Sequence, residues 1–249
     1  MYNPFSLKGK IILITGASSG IGRSVAIECA RLGATLVLTG RNERNLHETL
    51  QSLEGGKEHQ VVVADLSNEE DVDKLVMSLP PLDGLVCNAG VGKILPVQFY
   101  SSEVLEEVFG INVFAPMLLI KLLVRKKKLK NPSSVVFTAS ISGYSNIAPA
   151  NGIYGASKSA LSAYMKYAAL ELAGKGIRCN AVHPGRIQTP LIENRLLSEE
   201  DVAKDVDTYP LKRYGKPEEV AHAIIYLLSD AAAWVTGTNL VIDGGRSLK

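Results

Sequence analysis

Tyr154 and Lys158 stand at i and i+4 near the start of a stretch with helical period, Ile153 to Ala173. Residues at this spacing share one face of an α-helix, so the phenol and the ammonium are expected to lie side by side. A tyrosine titrates at about pH 10 in water, and a neighbouring ammonium favours the phenolate, which eases proton exchange at neutral pH. The pair is therefore a candidate general acid and base, although a Tyr and a Lys at this spacing are more often an ordinary surface pair.

Ser140 comes directly after a predicted strand, Ser133 to Ala139. Parallel sheets place their sites at the carboxyl ends of strands, so this hydroxyl is a candidate to hold a substrate carbonyl. This position strongly favours a catalytic role for Tyr154 and Lys158 over that of an ordinary surface pair.

A glycine-rich turn, Thr15 to Gly22, follows the predicted strand Lys10 to Thr15 and runs directly into a helix. Glycines permit the tight turn and a close approach to a pyrophosphate, and the helix N-terminus offers unpaired N–H groups to an anion. The spacing lacks the Gly-Lys-Ser/Thr of a P-loop, which argues against an ATPase. A dinucleotide site is predicted, the alternative being a turn that only packs a strand on a helix. The candidate cofactor-binding residues here are Gly16, Ser18, Ser19, Gly20, Ile21 and Gly22.

The second predicted strand, Thr35 to Thr39, is followed by Gly40, Arg41 and Asn42. A dinucleotide fold that selects NAD usually carries Asp or Glu at this place, which binds the ribose 2′-hydroxyl. Arg41 instead favours a 2′-phosphate, so NADP(H) is the expected cofactor and NAD(H) the alternative. The competing interpretation of Arg41 is a solvated residue at a helix start.

Short Val- and Ile-rich runs alternate with stretches of helical period, which is typical of a parallel sheet flanked by helices. The predicted strands are Lys10–Thr15, Thr35–Thr39, Gln60–Ala64, Leu82–Cys87, Ser133–Ala139, Ile177–His183 and Asn239–Ile242. The predicted helices are Ile21–Leu32, Glu43–Leu53, Glu69–Ser78, Glu103–Lys126, Ile153–Ala173 and Pro217–Ser229. Ser67 or Asn68 is expected to cap the third helix, and Gly33 and Gly174 are expected to end helices in left-handed conformation.

These elements predict a doubly wound, Rossmann-type α/β fold with a seven-stranded parallel sheet and helices on both faces. No repeat or linker divides residues 1–249, so a single domain is expected, with a substrate loop at about 185–214 where no clear periodicity occurs.

Composition excludes several classes of protein. The chain has 249 residues, of which 46% are hydrophobic. Its net charge of +2 is too small to favour binding of nucleic acid. The three cysteines have no CxxC spacing and are expected to be reduced core residues. The four histidines lack metal-ligand spacing; His183 is interpreted as a hydrogen-bonded structural residue, and Trp234 is expected to pack near the last strand.

Neither a signal peptide nor a membrane span is predicted. The most apolar segment, Val113 to Val124, is interrupted by Lys121 and is too short to cross a bilayer. The expected location is the cytoplasm.

Further motifs occur in order along the chain. They are Asp65-Leu66 after the third strand, Asn88-Ala89-Gly90 after the fourth, Asn112 in the fourth helix, His183-Pro184-Gly185 after the sixth strand, and the closing stretch from Tyr214-Gly215-Lys216-Pro217 through Val235-Thr236-Gly237 to Asp243-Gly244-Gly245. Together with the glycine turn and Tyr154 to Lys158, they resemble the short-chain dehydrogenase/reductase family over essentially the whole chain.

The resemblance implies a role for each matching residue. By similarity, Tyr154 is the acid/base, Lys158 assists it and binds the nicotinamide ribose, Ser140 orients the carbonyl, and Asn112 supports a proton relay through water. The remaining implied cofactor contacts are Asp65 with Leu66, Asn88 with Ala89 and Gly90, and the nicotinamide-end residues Pro184, Gly185, Ile187 and Thr189. Ser140 lies one position farther from Tyr154 than in many family members, so Ser142 is the alternative; Ser140 is favoured because the extra residue then falls in a loop.

The resemblance also implies a reaction and partners. Reversible reduction of a ketone to a secondary alcohol is expected, with 3-oxoacyl thioesters as the leading substrate class and steroids, sugars, polyols or other small ketones as alternatives. A dinucleotide-binding sensor or scaffold without catalysis is the competing hypothesis. The family's dimer helices match the two long helices here, so a homodimer or homotetramer is expected. The basic run Arg125 to Lys128 with Lys130 is a candidate dock for an acyl carrier protein or, more simply, a solvated helix end.

Overall fold

The computed structural model describes residues 2–54, 58–189 and 198–249. Its strands are β1 (Ile11–Thr15), β2 (Thr35–Gly40), β3 (Gln60–Val63), β4 (Leu82–Cys87), β5 (Leu129–Thr138), β6 (Ile177–Pro184) and β7 (Asn239–Ile242). They form one seven-stranded sheet in the order β3-β2-β1-β4-β5-β6-β7, and every pair is parallel. The predicted doubly wound fold is confirmed.

The order of the strands reverses between β1 and β4, which are neighbours in the sheet. The chain leaves β1 toward one edge and returns at β4 toward the other, so the connections diverge and open a crevice at the carboxyl ends. This is the place where a doubly wound fold binds its ligand.

Eight α-helices cover the sheet in the described part of the chain. They are α1 (Gly20–Arg31), α2 (Glu43–Gln51), α3 (Glu69–Ser78), α4 (Ser102–Phe109), α5 (Ala115–Arg125), α6 (Gly152–Leu172), α7 (Glu199–Asp207) and α8 (Pro217–Leu228). Two apolar clusters fill the two faces of the sheet: α3, α5 and α6 pack on one face, and α1, α2 and α8 on the other. Burial on both faces explains why the strands read as continuous apolar runs.

The predicted helix Glu103–Lys126 is divided into α4 and α5 by a π-helical turn, Gly110–Phe114. Pro116 has no N–H to donate to the carbonyl of Asn112 four residues earlier, so the regular α-helical bonding cannot continue there. The whole segment Ser102–Arg125 is the one described helix long and apolar enough to cross a membrane. Its Leu119 and Leu123 are buried in the core, as in the core helix of a globular fold.

The predicted caps are partly confirmed. The Asn68 side chain accepts hydrogen bonds from the N–H groups of Glu70 (2.9 Å) and Asp71 (3.2 Å), which settles the choice between Ser67 and Asn68. Gly33 has φ +87°, as expected for a left-handed helix end. The prediction for Gly174 is wrong, because a 3₁₀ turn over Ala173–Lys175 continues α6 and Gly176 takes the left-handed position with φ +67°.

The segment 185–214, expected to lack regular structure, contains the helix α7, which Ser198 caps by accepting a hydrogen bond from the N–H of Asp201 at 3.1 Å. Residues 190–197 of this predicted substrate loop lie outside the described part of the chain. All three cysteines are buried and unpaired, as predicted. Trp234 does not pack near the last strand: the indole is 100% exposed, and its neighbour Val235 packs against the core instead.

Substitution by alanine is expected to have opposite effects on stability at Gly33 and Gly174, the two glycines that the sequence predicts as helix ends. Gly33→Ala is expected to lower the free energy of unfolding by about 1–2 kcal/mol, because a side chain there is strained in the left-handed region, and its Cβ would lie 3.1 Å from the Lys8 Cα. Gly174→Ala has open space around it and is expected to raise that free energy by roughly 0.4–1 kcal/mol. Urea denaturation followed by circular dichroism measures both, and equal effects of the two substitutions would contradict the assignment.

Candidate active site

A cleft of about 410 Å³ opens at the carboxyl ends of β1, β4, β5 and β6, where the order of the strands reverses. The residues that line it come from eight separate parts of the chain and include both polar and apolar groups. Those that the sequence predicted are Gly16, Ser18, Ser19, Gly20, Ile21, Arg41, Asn42, Asp65, Leu66, Asn88, Ala89, Gly90, Ser140, Tyr154, Lys158, Pro184, Gly185, Ile187 and Thr189. The crevice expected from topology and the motifs expected from sequence therefore coincide.

Tyr154 and Lys158 lie on the first turns of α6, where the helix faces the cleft. The Lys158 Nζ is 5.7 Å from the centroid of the Tyr154 ring, so the i and i+4 spacing does place the two groups together. The lysine is only 4% exposed and donates a hydrogen bond of 2.8 Å to the carbonyl of Thr138 at the end of β5. This bond holds the ammonium at the floor of the cleft.

The electrostatics of Lys158 follow from its burial. Desolvation lowers the pKa of the ammonium to about 8. Its neighbour Cys87 is a neutral thiol, because burial raises the pKa of that group. Lys158 is therefore charged at neutral pH and loses its proton as the pH rises through about 8.

Ser140 lines the cleft directly beyond β5, whereas Ser142 is not among the described lining residues. The Ser140 Oγ accepts a hydrogen bond of 3.1 Å from the backbone N–H of Ser142. The Ser142 Oγ in turn accepts a bond of 3.0 Å from the Asn151 Nδ2. This arrangement favours Ser140 over Ser142 as the serine that meets a ligand, because Ser142 is engaged in holding the loop.

His183 supports Ser140 from behind. The imidazole is completely buried on β6, and its Nδ1 lies 2.8 Å from the carbonyl oxygen of Ser140. Since a carbonyl only accepts, Nδ1 carries the proton and donates it. The Nε2 lies 2.9 Å from the Asn239 Oδ1 on β7. The interpretation of His183 as a hydrogen-bonded structural residue agrees with these contacts.

Asn112 lies in the π-helical turn, almost wholly buried, and is not among the described residues that line the cleft. Its Nδ2 donates to the carbonyl of Val91 and to the Ser157 Oγ, both at 2.9 Å, and its Oδ1 accepts from the Val91 N–H at 2.8 Å. The side chain thus joins the segment after β4 to α6. Any contribution of this residue to proton transfer runs through neighbouring groups or its backbone.

The glycine turn is built for close contact. A Cβ on Gly22 would lie 2.2 Å from the Gly16 carbonyl oxygen and 2.6 Å from the Asn88 Nδ2, so Gly22 serves the packing of the turn and does not line the cleft. Gly16 has φ +65°, and a Cβ there would lie 2.9 Å from the Ala89 Cα. The Thr15 Oγ1 accepts bonds from the N–H groups of Asn88 (2.9 Å) and Ala89 (3.0 Å), which fastens the ends of β1 and β4 together.

The end of β2 carries the polar groups expected of an adenosine site. Arg41 and Asn42 line the cleft, and Asn42 also caps α2 by accepting a bond of 2.9 Å from the Asn45 N–H. Burial tends to raise the pKa of Asp65, but hydrogen bonds from Ser67 and the nearby charge of Arg41 outweigh it and hold the pKa below the usual value. Asp65 is therefore an ionised acceptor at neutral pH.

Comparison with known proteins shows the family. A family model described as enoyl-(acyl carrier protein) reductase, one branch of the short-chain dehydrogenases/reductases, matches residues 16–247. The chain belongs to the short-chain dehydrogenase/reductase family. It is therefore an oxidoreductase that uses a nicotinamide dinucleotide.

Individual relatives cover nearly the whole chain. The cyclopentanol dehydrogenase of Comamonas testosteroni is 35% identical over 242 residues, which cover 95% of this chain and 96% of that protein. The 3-oxoacyl-(acyl-carrier-protein) reductase FabG of Thermotoga maritima is 37% identical over 245 residues, covering 96% and 98%. Among solved structures, the Pseudomonas aeruginosa RhlG/NADP active-site complex has a TM-score of 0.92 at 31% identity and covers 99% of this chain and 100% of that chain.

A dinucleotide of this family fits the residues present. The glycine turn leaves no room for a Cβ on Gly16 or Gly22, and α1 carries no acidic residue in its first turn that would repel a phosphate. Ser18, Ser19, Gly20 and Ile21 bring the N-terminus of α1 to the cleft, where its unpaired N–H groups favour an anion.

The sequence missed six lining residues: Gly40, Ala64, Val91, Ile111, Thr138 and Ala139. Most of them adjoin a predicted residue at a strand end, so extending each motif by one position would have found them. Ile111 is different, because the π-helical turn brings it to the cleft. Among the described residues, no group of three or more His, Cys, Asp or Glu side chains could hold a metal ion.

The glycine turn of this oxidoreductase can be tested by adding a single methyl group. Gly22→Ala is expected to weaken NADPH binding by at least about tenfold, because the turn must shift to relieve the contact with the Gly16 carbonyl and so misplaces its N–H groups. Gly110→Ala, which has open space around it, is the control and is expected to bind as the wild type does. Fluorescence titration with NADPH measures both, and wild-type affinity in Gly22→Ala would contradict the packing role.

Proposed function

We propose that this protein is an NADP(H)-dependent reductase that interconverts a ketone and a secondary alcohol, with Tyr154 as its acid/base residue. The observation that carries the proposal is the meeting of Tyr154, Lys158 and Ser140 in one cleft with the glycine turn. A phenol, an ammonium and a hydroxyl so placed suit proton transfer to a carbonyl oxygen. When bound, the nicotinamide supplies or accepts the hydride.

Each side chain has a distinct task in this proposal. The N–H of Ser142 donates to the Ser140 Oγ, which leaves the Ser140 proton to point toward a substrate carbonyl oxygen. Tyr154 then gives its proton to the same oxygen. Lys158, charged below about pH 8 and fixed by the Thr138 carbonyl, stabilises the phenolate that remains. In the direction of oxidation the same groups act in reverse.

Asn112 is a positioning residue in this scheme. It holds Val91 on one side and Ser157 on the other, and a Cβ on the intervening Gly90 would lie 3.1 Å from the Asn112 Oδ1 and 3.2 Å from the Lys158 Nζ. Loss of this amide would let the segment after β4 move against the lysine. A water-mediated relay beside it is part of the proposal.

Arg41 supports the choice of NADP(H). Its guanidinium lies at the end of β2, where the expected acid that binds a 2′-hydroxyl is missing, and it pairs well with a phosphate. The solved relative from Pseudomonas aeruginosa is described as an NADP complex. Asp65 is placed to bind the adenine.

A 3-oxoacyl thioester is the leading substrate class, because a relative with that named activity is 37% identical. The cyclopentanol dehydrogenase at 35% identity makes a small cyclic ketone the second candidate. The basic run does not support docking of an acyl carrier protein at the cleft. The basic run lies at the start of β5, whereas Thr138 at the cleft is the last residue of that strand. The register pairs Leu129 with Leu82 and Phe137 with Cys87, a separation of roughly 17 Å at ~3.3 Å per residue, and Lys128 and Lys130 already bond to Leu79 and Asp83.

Self-association through the long helices is a further part of the proposal. Tyr167 and Leu170 on α6, and Leu105 and Met117 on α4 and α5, expose large apolar side chains to solvent. A second copy of the chain would cover them across a two-fold axis, as a dimer or tetramer. A cytoplasmic location is supported by three unpaired, buried thiols.

Tyr154→Phe tests the chemistry. It removes only the hydroxyl, so NADPH affinity is expected to stay within about threefold of wild type, while turnover falls by at least about a hundredfold. The assay follows NADPH consumption with acetoacetyl-CoA, cyclopentanone, a steroid ketone and a ketose. Tyr2→Phe is the matched control, because that ring is 89% exposed and is not among the described residues that line the cleft. Unchanged turnover in Tyr154→Phe would refute the mechanism, and a wild type silent on every ketone despite binding NADPH would favour a sensor.

Arg41→Asp tests the cofactor. The carboxylate is expected to repel a 2′-phosphate and to accept a hydrogen bond from a 2′-hydroxyl, so the ratio of NADPH to NADH affinity should fall by at least about tenfold. Arg44→Asp is the control, because Arg44 is exposed and pairs with Glu48. Fluorescence titration with both dinucleotides gives the ratio. An equal change in the two variants would mean that general charge, and not Arg41, sets the preference.

A further inference from the structure

Arg186 stands between two residues that line the cleft, Gly185 and Ile187, at the point where β6 ends. Its own side chain is not among the described lining residues. The Arg186 Nη1 bonds instead to the Asp205 Oδ2 on α7 at 2.5 Å and to the Tyr214 Oη at 3.1 Å. The Tyr214 hydroxyl in turn donates to the same carboxylate oxygen at 2.8 Å. Three side chains from distant positions thus form a closed triangle of hydrogen bonds.

The same cluster holds the backbone of Arg186. Its N–H donates to the Tyr209 Oη at 3.1 Å, and its carbonyl accepts from the Gly215 N–H at 3.0 Å. The Gln188 N–H donates to the Gly215 carbonyl at 2.9 Å. The wall of the cleft at 185–188 is therefore fastened from both sides to the segment 209–215.

Burial distinguishes this cluster from an ordinary surface ion pair. The side chains of Arg186 and Asp205 are 19% and 34% exposed, and both tyrosines are buried. The guanidinium lies over the Tyr214 ring at 5.3 Å, and the two tyrosine rings meet edge to face at 5.7 Å. By contrast Asp207, two residues farther along α7, pairs with Lys212 while 78% exposed. Partial burial weakens screening by water, so the Arg186 cluster holds its geometry more firmly than the exposed pair does.

Packing alone does not hold this wall. A cavity of about 110 Å³ lies behind it, lined by Ile187, Leu211, Gly215 and Asp243 among others. A wall backed by space can shift unless directional bonds fix it, because close packing is what normally prevents such movement. The hydrogen bonds of Arg186 supply that constraint.

We propose that Arg186, Asp205 and Tyr214 form a positioning clamp that fixes the wall of the cleft at 185–188, against which the ketone binds. None of the three touches the reacting atoms. In the proposed function most of the dinucleotide is held at the glycine turn and at β2, and only its nicotinamide end meets the wall, at Gly185 and Ile187. The clamp therefore affects ketone binding more than cofactor binding. This inference rests on the proposed function for its effect on the ketone, whereas the clamp itself can be measured without turnover.

The test uses Asp205→Asn, with Asp207→Asn on the same helix as the matched control. Hydrogen exchange in the NADPH-bound protein reports the amides of Arg186, Gln188 and Gly215, which are expected to exchange roughly tenfold faster in Asp205→Asn only. With whichever of acetoacetyl-CoA and cyclopentanone the wild type reduces, KM is expected to rise roughly tenfold, while kcat and the NADPH Kd change less than about threefold. Tyr214→Phe, which keeps the ring and removes the hydroxyl, is expected to give a smaller change of the same kind even if Asp205→Asn folds poorly.

The outcomes separate the two proposals. Exchange at wild-type rates in both Asp205→Asn and Tyr214→Phe would overturn the clamp. Faster exchange with an unchanged KM would overturn its role beside the ketone, and equal changes in Asp207→Asn would reduce it to a general effect of charge on α7. A wild type that reduces neither ketone would count against the proposed function, while the exchange rates would still decide the clamp.

Discussion

One buried hydrogen bond, from the Lys158 ammonium to the Thr138 carbonyl, sets the geometry on which the cleft depends. It joins α6 to the end of β5, so Tyr154 on the helix and Ser140 beyond the strand meet across a fixed distance. Burying an ammonium is unfavourable, which is why the pKa of Lys158 falls to about 8. The sheet compensates for this cost by presenting the backbone carbonyl of Thr138, the last residue of β5. A lysine on the outer face of α6 would stay solvated and could not organise the site.

The second constraint joins the two halves of the sheet at the point where the strand order reverses. The Thr15 Oγ1 accepts hydrogen bonds from the N–H groups of Asn88 and Ala89. The Asn112 Oδ1 accepts one from the N–H of Val91, farther along the same segment. The segment after β4 is thereby tied to β1 on one side and to the π-helical turn on the other. Since both the glycine turn and Lys158 touch this segment, the adenosine end and the reacting end of the cleft share one rigid floor. That rigidity is what positioning for proton transfer requires.

Sequence reasoning succeeded where the physical signal is local. The alternation of apolar runs, the glycine turn and the Tyr154 and Lys158 spacing each occupy a short window, and the structure brings these motifs to one cleft. It failed where the decisive partner is distant. Gly174 was predicted to end a helix, but a 3₁₀ turn extends that helix and Gly176 ends it instead. Trp234 was predicted to pack near the last strand, but it is exposed and Val235 packs against the core. The π-helical turn could have been predicted, because Pro116 lies in the predicted helix. The bonds of Arg186 to Asp205 on α7 and to Tyr214 could not, because they join residues 19 and 28 positions apart.

Local contacts and distant side-chain contacts hold different parts of the cleft. The groups proposed for chemistry sit at the end of β5 and on the first turns of α6, where the Lys158 ammonium is tied to a backbone carbonyl. The wall at 185–188 is held by charged and aromatic side chains of α7 and of the segment before α8, and it is backed by a cavity. Side-chain contacts change more readily in evolution than backbone ladders do, because only the side chains must be exchanged. Relatives with about the same identity to this chain carry names as different as a cyclopentanol dehydrogenase and a 3-oxoacyl reductase. Because the proposed acid/base pair is tied to a backbone carbonyl of the sheet, whereas the wall at 185–188 depends in part on side chains, the wall can change without disturbing the proposed proton transfer.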